Sequence, residues 1–305
     1  MLLTVVICTY NREKYIGGLL ESIAQNDLLK SKYEIILVDN NCTDNTYEIC
    51  KNFTKEYPNV KFRYVVEEEQ GLSAARNRGI KEANGDLIVY VDDDALVGET
   101  YLRSYYEHFE NNEKTMAAGG PIEPIYETEE PRWMSRFTKS LLTAWMNYGD
   151  IVRPYPKGRY PGGGNAAYRK EVFNHVGFFN CNLGRKGSSL MASEEKDIFD
   201  KMKKNRMDVL YLPEPILYHL IPPYKLELSY FNKLTLQIGI SERKRTLALG
   251  KYEYFKRLML ELIKWGGTLV LFLGYTLLLE FQKGWKLILF RINVSKGLLG
   301  CVRNI

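Results

Sequence analysis

The chain has 305 residues, 45 % of them hydrophobic and 26 % charged, which is enough to bury a substantial core as one large domain or one domain with an appendage. Its net charge of +5 is unevenly placed: the last 55 residues hold nine Lys/Arg and three Glu, a net of +6, which leaves −1 for the first 250. A near-neutral body with a basic, apolar tail fits an anionic membrane surface and argues against nucleic acid as a partner.

The N-terminus enters a strand-like run at once, Leu2-Leu3-Thr4-Val5-Val6-Ile7-Cys8. It lacks a basic n-region and a small-residue cleavage site, so no secretory signal is expected. Strand-like runs recur at 3–8, 33–38, 60–66 and 87–91, with helix-like stretches near 13–24, 43–56 and 72–83 between them. This βαβα rhythm predicts a doubly wound, mostly parallel α/β sheet flanked by helices. Thr43 and Ser73 are placed to cap the second and third helices, and Asn84-Gly85 to close the third.

The run 116–120 can continue the sheet. Residues 121–161 are rich in proline and aromatics without a period, and read as an insertion forming one wall of a cleft. A glycine loop, Arg159-Tyr160-Pro161-Gly162-Gly163-Gly164-Asn165, leads into 166–172. Ser193 is placed to cap a helix over 194–204, and 209–212 returns as a strand.

From Leu226 the pattern is helical and increasingly apolar. Residues 265–279 are uncharged, but this stretch of roughly 15 is shorter than the roughly 20 that span a bilayer. With basic residues on both sides, an interfacial or re-entrant helical hairpin is expected; a buried helix of a soluble core is the other reading. The expected division is 1–222, with halves at about 1–120 and 121–222, followed by a helical membrane-associating region, 223–305. The five cysteines form no Cys-x-x-Cys pair and no zinc-like spacing, which predicts buried reduced thiols and favours the cytosol.

Four groups of polar residues follow strand-like runs, where a doubly wound sheet collects its ligands. They are Thr9-Tyr10-Asn11-Arg12, Asp39-Asn40-Asn41-Cys42-Thr43-Asp44, Glu69 to Asn77, and Asp92-Asp93-Asp94. Three carboxylates crowded at one strand end repel one another unless a cation sits among them, and Mg²⁺ or Mn²⁺ favours such oxygens. A solvated acidic turn is the competing reading. Asp39 is suited either to accept an N–H of a base such as uracil or to cap its own turn. Arg76, among Ser73, Ala74, Ala75 and Gly79, suits a phosphate or a surface ion pair. Neither a Gly-x-Gly-x-x-Gly nor a Walker-type loop follows the first strand, which weakens dehydrogenase and P-loop readings.

In order and spacing, Val5 to Arg12, Glu34 to Asp44, Gly71 to Gly79 and Asp92-Asp93-Asp94 resemble the successive motifs of family 2 glycosyltransferases, over roughly residues 3–220. The resemblance implies a GT-A fold. It also implies that Thr9, Asn11, Arg12 and Asp39 contact the nucleoside, that Arg76 lies near the diphosphate, and that Gly163, Gly164 and Asn165 border the donor sugar and the acceptor, a plain surface turn being the alternative for this loop. The acidic triplet would be the family's Asp-x-Asp motif, with Asp92 and Asp93 toward ribose and phosphate and Asp94 on a divalent metal, Mn²⁺ or Mg²⁺. His219 resembles a histidine that completes the metal or phosphate site; a structural histidine is the alternative. Ser193-Glu194-Glu195-Lys196-Asp197 resembles the Glu-Asp motif, with Glu195 in the place of the catalytic base and Glu194 in reserve.

The family's processive synthases carry Gln-x-x-Arg-Trp, and Gln237-Ile238-Gly239-Ile240 is not that motif. The implied enzyme is non-processive and inverting. It moves a sugar from a nucleotide sugar, a UDP-sugar by first choice, to a glycan or lipid-linked acceptor at the cytoplasmic face of a membrane. The rival readings are a sugar-nucleotide nucleotidyltransferase and a non-catalytic glycan-binding relative.

Overall fold

The computed structural model describes residues 1–187 and 193–301. The chain opens with β1 (Leu3–Thr9), α1 (Glu13–Ala24), β2 (Tyr33–Asp39), α2 (Thr46–Glu56), β3 (Phe62–Val66) and α3 (Leu72–Glu82). It continues with β4 (Leu87–Asp92), β5 (Ala95–Val97), α4 (Tyr101–Asn111), β6 (Thr115–Gly119), β7 (Ile122–Tyr126), α5 (Arg136–Thr143) and β8 (Arg153–Pro154). Then follow β9 (Asn165–Arg169), α6 (Val172–Val176), α7 (Glu194–Lys204), β10 (Asp208–Tyr211) and β11 (Leu217–Ile221). The helices α8 (Leu228–Leu249), α9 (Lys251–Leu277) and α10 (Phe281–Leu299) complete it.

One sheet has the order β3-β2-β1-β4-β9-β6-β10-β8, and a second the order β5-β11-β7. β1 pairs in parallel with β2 and β4, β2 with β3, and β10 with β6. β9 runs antiparallel to β4 and β6, and β8 antiparallel to β10. The large sheet is therefore mixed with a parallel majority, flanked by helices as expected.

The apolar runs are unbroken because both faces of the sheet are covered. Successive strand residues point to opposite sides. Leu3, Val5, Ile7, Ile35 and Leu37 pack with Ile16 and Leu19 of α1 and Tyr105 of α4. Val6, Ile36, Val38, Ile88 and Tyr90 pack with Ile80 of α3 and Phe199 and Met202 of α7. A Cβ on Gly79 would lie 2.3 Å from Val6 Cγ1, so the small residues of α3 let it sit down on β1.

The helix starts differ from expectation. α2 begins at Thr46 because Asp44 accepts both its N–H (3.2 Å) and its hydroxyl (2.6 Å), while Thr43 donates to Asn11 instead. α3 starts after Gly71 (φ 144), and Ser73 lies inside its first turn. Gly85 does not close α3. It is small because a Cβ there would lie 2.6 Å from the Leu2 carbonyl oxygen. Of the five cysteines expected to be buried, the structure buries Cys50 alone and exposes Cys181 and Cys301.

The chain packs as two compact units. The first holds Met1–Ile125, Ala144–Cys181 and Glu194–Leu220; the second holds Tyr126–Thr143, the described residues of Asn182–Ser193, and Ile221–Ile305 as far as described. Part of the aromatic insertion thus packs with the C-terminal helices. In the second unit α10 returns along α9, with Trp265 Nε1 donating to Ser295 Oγ at 3.0 Å and Tyr254 OH to the Leu298 carbonyl at 2.8 Å. α8 lies on α10 at Gly239, where a Cβ would meet the Val294 oxygen at 2.2 Å.

The interior of these helices is charged. Glu242 accepts from Arg245 at 3.0 Å and from Arg257 at 3.1 Å, and Glu261 from Arg257 at 2.8 Å and Arg291 at 2.9 Å. Burial alone would raise the pKa of Glu261, but Arg257 and Arg291 more than offset it and the pKa is lowered. α9 spans 27 residues and is long and apolar enough, by length and composition, to cross a membrane. It extends well before the uncharged stretch, because Lys264 is exposed within the helix and Arg257 and Glu261 are buried against its helical neighbours.

Candidate active site

The register of the parallel strands aligns Thr9 with Asp39 and Cys8 with Asp92, so their C-terminal ends form one edge. Ligands of open α/β sheets bind beyond this edge. Asp92 ends β4, and Asp93 and Asp94 form the turn into β5. The reading of this triplet as a solvated turn fails, since the Asp93 and Asp94 side chains are only 14 % and 7 % exposed, against 47 % for Asp92.

Arg12 holds this pair together, with Nε 3.4 Å from Asp93 Oδ1 and Nη2 3.8 Å from Asp94 Oδ2. Its guanidinium thus links the loop after β1 to the turn after β4. Asp94 Oδ1 is 3.3 Å from His219 Nε2, and β11 carries His219 opposite Ala95 of β5. Burial, and then the charge of Asp94, push the Asp93 pKa up to about 7 even though Arg12 favours the ionised form. A site that resists ionisation in this way suits an added cation.

On the adjacent helices, Arg76 is buried and its Nη1 lies 3.0 Å from Glu194 Oε1 and 2.8 Å from Glu195 Oε1. Nη2 is 4.0 Å from Asp92 Oδ1. Burial opposes the guanidinium's charge, but Glu195, Glu194 and Asp92 outweigh it and the pKa is raised. The rings of Tyr90 and Phe179 lie 5.8 and 5.4 Å from its central carbon. One cation thus joins α3, β4 and α7.

The glycine loop is not a plain surface turn. A Cβ on Gly163 would sit 1.8 Å from Glu195 Oε1 and 2.6 Å from Arg76 Nη2, and one on Gly164 2.2 Å from Asp92 Oδ2. Two adjacent glycines therefore bring the backbone against two different carboxylates, where no side chain fits. The sequence reading named Gly163, Gly164 and Asn165 as this loop; what it did not show is that Gly163 abuts Glu195 and Gly164 abuts Asp92.

Asn165 is a correction. It is fully buried, its Oδ1 accepts from Tyr101 OH at 2.8 Å and Tyr105 OH at 2.6 Å, and its Nδ2 donates to the carbonyls of Pro121 (2.8 Å) and Pro215 (3.1 Å). Both lone pairs and both N–H groups are spent inside the protein, so its side chain ties β9 to α4 and to two loops and does not reach a sugar. Asn165→Ala is expected to lower stability by about 2–4 kcal/mol, because it orphans two buried hydroxyls and two carbonyls. Denaturant unfolding checks this.

Asn11, in the left-handed region at φ 54, accepts from the Thr43 N–H at 2.8 Å and so fastens one strand-end loop to the next. Asp39 does cap its turn, accepting from the Cys42 N–H at 2.6 Å, and its other oxygen takes the Tyr64 hydroxyl. Thr9 is buried at the end of β1. Burial, opposed by Arg76, pushes the Cys8 thiol beneath the triplet up to about 12, which makes it a packing group. Among the described residues no group of three His, Cys, Asp or Glu side chains is gathered as a complete metal site. Asp94 and His219 form a close pair, 3.3 Å apart.

Comparisons with known proteins show the family and the fold. The family model described as "Glycosyl transferase family 2" matches residues 4–177. Glucosyl-dolichyl phosphate glucuronosyltransferase of Haloferax volcanii is 24 % identical over 273 residues, covering 85 % of this chain and 84 % of that one. The succinoglycan biosynthesis protein ExoM of Rhizobium meliloti is 25 % identical over 235 residues, 76 % of this chain and 71 % of its own length.

Among solved structures, a mannosyltransferase from Pyrobaculum calidifontis in complex with GDP-Man and Mn²⁺ superposes with TM-score 0.62 at 17 % identity, covering 98 % of this chain and 87 % of that one. TarS 1–349 of S. aureus in complex with UDP-GlcNAc gives TM-score 0.53 at 18 % identity, over 79 % and 66 % of the two chains. The fold is GT-A-like, and because the family model covers more than half of its length, this chain belongs to glycosyl transferase family 2.

Proposed function

We propose that this protein is a metal-dependent, inverting glycosyltransferase that moves a sugar from a nucleotide sugar to a hydroxyl of a lipid-linked or surface glycan. The observation that carries this reading is one convergence. The Asp94–His219 pair and the Arg76–Glu195 pair lie at the C-terminal edge of one sheet, with Gly163 and Gly164 pressed against Glu195 and Asp92. A UDP-sugar is the first choice of donor, supported by the UDP-GlcNAc complex of TarS; the GDP-Man complex of the Pyrobaculum enzyme keeps the base an experimental question. The Haloferax glucuronosyltransferase supports an acceptor carried on a lipid phosphate.

The residues present fit a hard divalent cation. A carboxylate oxygen and an imidazole nitrogen suit Mn²⁺ or Mg²⁺, which commonly take one or two protein ligands and leave the rest to phosphate and water. Bound at Asp94 and His219, such a cation would supply charge neutralisation for the leaving nucleoside diphosphate. Thr9 and Asp39 line the edge assigned to the nucleoside, and Asp92, the most open carboxylate, the ribose or phosphate. Arg12 holds Asp93 and Asp94 together. Glu195 removes the proton of the acceptor hydroxyl as its oxygen attacks the anomeric carbon from the face opposite the diphosphate, which inverts configuration.

Arg76 fixes the position of that carboxylate. Glu195 is favoured over Glu194 because its side chain is 16 % exposed and that of Glu194 only 1 %. The basic, apolar C-terminal helices would hold the enzyme at the cytoplasmic face of a membrane, as a peripheral or monotopic protein on an anionic surface.

A panel of nucleotide sugars incubated with the protein and Mn²⁺ or Mg²⁺ tests the reading. Release of nucleoside diphosphate from a restricted set of donors, abolished by chelation, is expected. Formation of nucleotide sugar and pyrophosphate from a nucleoside triphosphate and a sugar phosphate would make the protein a nucleotidyltransferase. Nucleotide binding without turnover on any donor and acceptor would make it a non-catalytic relative.

A further inference from the structure

The outer side of α9 is apolar along nearly its whole length. Phe255, Met259, Ile263, Val270, Leu273 and Leu277 are all exposed and recur at helical steps of three, four or seven. The inner side of the same helix carries Arg257, Glu261 and Thr268, all buried against its helical neighbours. Spaced in this way, the outer residues form one stripe about 33 Å long at 1.5 Å per residue. The stripe runs into the turn between α9 and α10, where Leu277 is 85 % and Leu279 94 % exposed. Phe281 and Trp285 continue it on α10, with ring planes stacked within 9°.

The polar groups of the turn are satisfied from within, as a non-aqueous neighbour requires. The N–H groups of Leu278, Leu279 and Glu280 donate to the carbonyls of Gly274, Thr276 and Tyr275 at 3.1, 3.1 and 2.8 Å. The Thr276 hydroxyl donates to the Phe272 carbonyl at 2.8 Å. Leu279 lies in the left-handed region at φ 58, the position where helices usually place glycine. A leucine there destabilises the turn in water twice, by its backbone and by its exposed side chain. Removal of that side chain from water would offset this cost.

Charge selects the partner. α9 exposes Lys251, Lys256 and Lys264, and of its two carboxylates Glu261 is buried while Glu253 is engaged by Lys256 at 2.9 Å. Lysines flanking an exposed apolar stripe match an anionic bilayer interface. The same lysines, with the buried ion pairs of the mid-helix, oppose a crossing of the hydrocarbon core.

We propose that α9 lies in the plane of an anionic bilayer interface, with its outer apolar stripe and the Leu277–Leu279 turn inserted in one leaflet and no segment crossing. The proposal rests on the membrane reading above and makes no use of the sugar chemistry, so each can fail alone.

The full chain is tested with vesicles of phosphatidylcholine alone or mixed with phosphatidylglycerol, without any nucleotide sugar. Sedimentation with the mixed vesicles at least about tenfold stronger than with the neutral ones is expected. Ile263→Glu/Leu273→Glu should weaken it about tenfold or more with an unchanged melting temperature, since both residues are exposed. Lys251→Gln/Lys256→Gln/Lys264→Gln should remove the preference for phosphatidylglycerol. Nitroxide labels at positions 255, 263 and 270 should report one shallow depth by power saturation. Depths graded along the helix, or label access from the vesicle lumen, would overturn the in-plane geometry. A dimer in solution that Ile263→Glu/Leu273→Glu dissociates, without vesicle binding by the parent, would assign the stripe to a second copy and also overturn it.

Discussion

Replacing Asp94 with alanine is expected to lower donor turnover on the order of 10³-fold and to remove its dependence on divalent cation. Asp94 is where the site's charges meet: its carboxylate faces His219 at 3.3 Å through one oxygen and Arg12 at 3.8 Å through the other. The two neighbouring carboxylates face other partners, Asp93 meeting Arg12 at 3.4 Å and Asp92 Arg76 at 4.0 Å. Nucleoside diphosphate release measured across a Mn²⁺ titration is the check, and full activity in the variant would remove Asp94 from the metal.

Stability supplies an independent readout. With its pKa raised to about 7 in the fold from an ordinary value of 3.8, Asp93 binds its proton more tightly when folded. Its contribution is therefore fully present below about pH 4 and is lost as the pH rises through about 7 in metal-free protein. Asp94→Ala removes the second cause of that shift and should move the loss to lower pH. A melting-temperature profile against pH, with and without Mn²⁺, records it.

The second large effect is at the base. Glu195→Gln keeps the size and a hydrogen-bonding oxygen but cannot take a proton, so kcat should fall on the order of 10²–10⁴-fold with little change in donor affinity. Gly163→Ala should approach the same loss without touching a titratable group, because its methyl would overlap Glu195 Oε1 at 1.8 Å. Glu194→Gln should instead act on stability, since that side chain is buried against Arg76. If Glu194→Gln lost the turnover while Glu195→Gln kept it, the assignment of the base would be reversed.

The strands β1, β2 and β4 were legible because a strand covered on both faces is written as a largely apolar run, whereas β3, half-buried at the sheet edge, carries Arg63 and was legible from its aromatic and β-branched residues. The acidic triplet was legible because unpaired carboxylates at such a strand's end require an explanation. Other features depend on partners far along the chain. The direction of β9 is set by its neighbours β4 and β6, not by any residue within it. The role of Asn165 is fixed by two tyrosines about sixty residues upstream, and that of Arg76 by carboxylates well over a hundred residues downstream.

The helix starts were misplaced for a local reason: Asp44 and Gly71 compete with Thr43 and Ser73 for the same duty. The length of α9 was hidden by Lys264, which bounds the uncharged stretch but sits exposed inside the helix. The turns before it carry Arg257 and Glu261, whose place inside the helix shows only once their partners on α8 and α10 are known.

The pair Gly163-Gly164 has a consequence for how this enzyme can vary. Their Cα atoms stand one peptide apart, about 3.8 Å, and each abuts a different carboxylate, Glu195 and Asp92. The spacing of the two points at which the loop meets these carboxylates is therefore set by covalent backbone geometry. A loop built in this way works as a fixed gauge: neither mark on it accepts even a methyl group. On the proposed function, variation in the sugar accepted is expected in segments free to carry side chains and not at these two glycines.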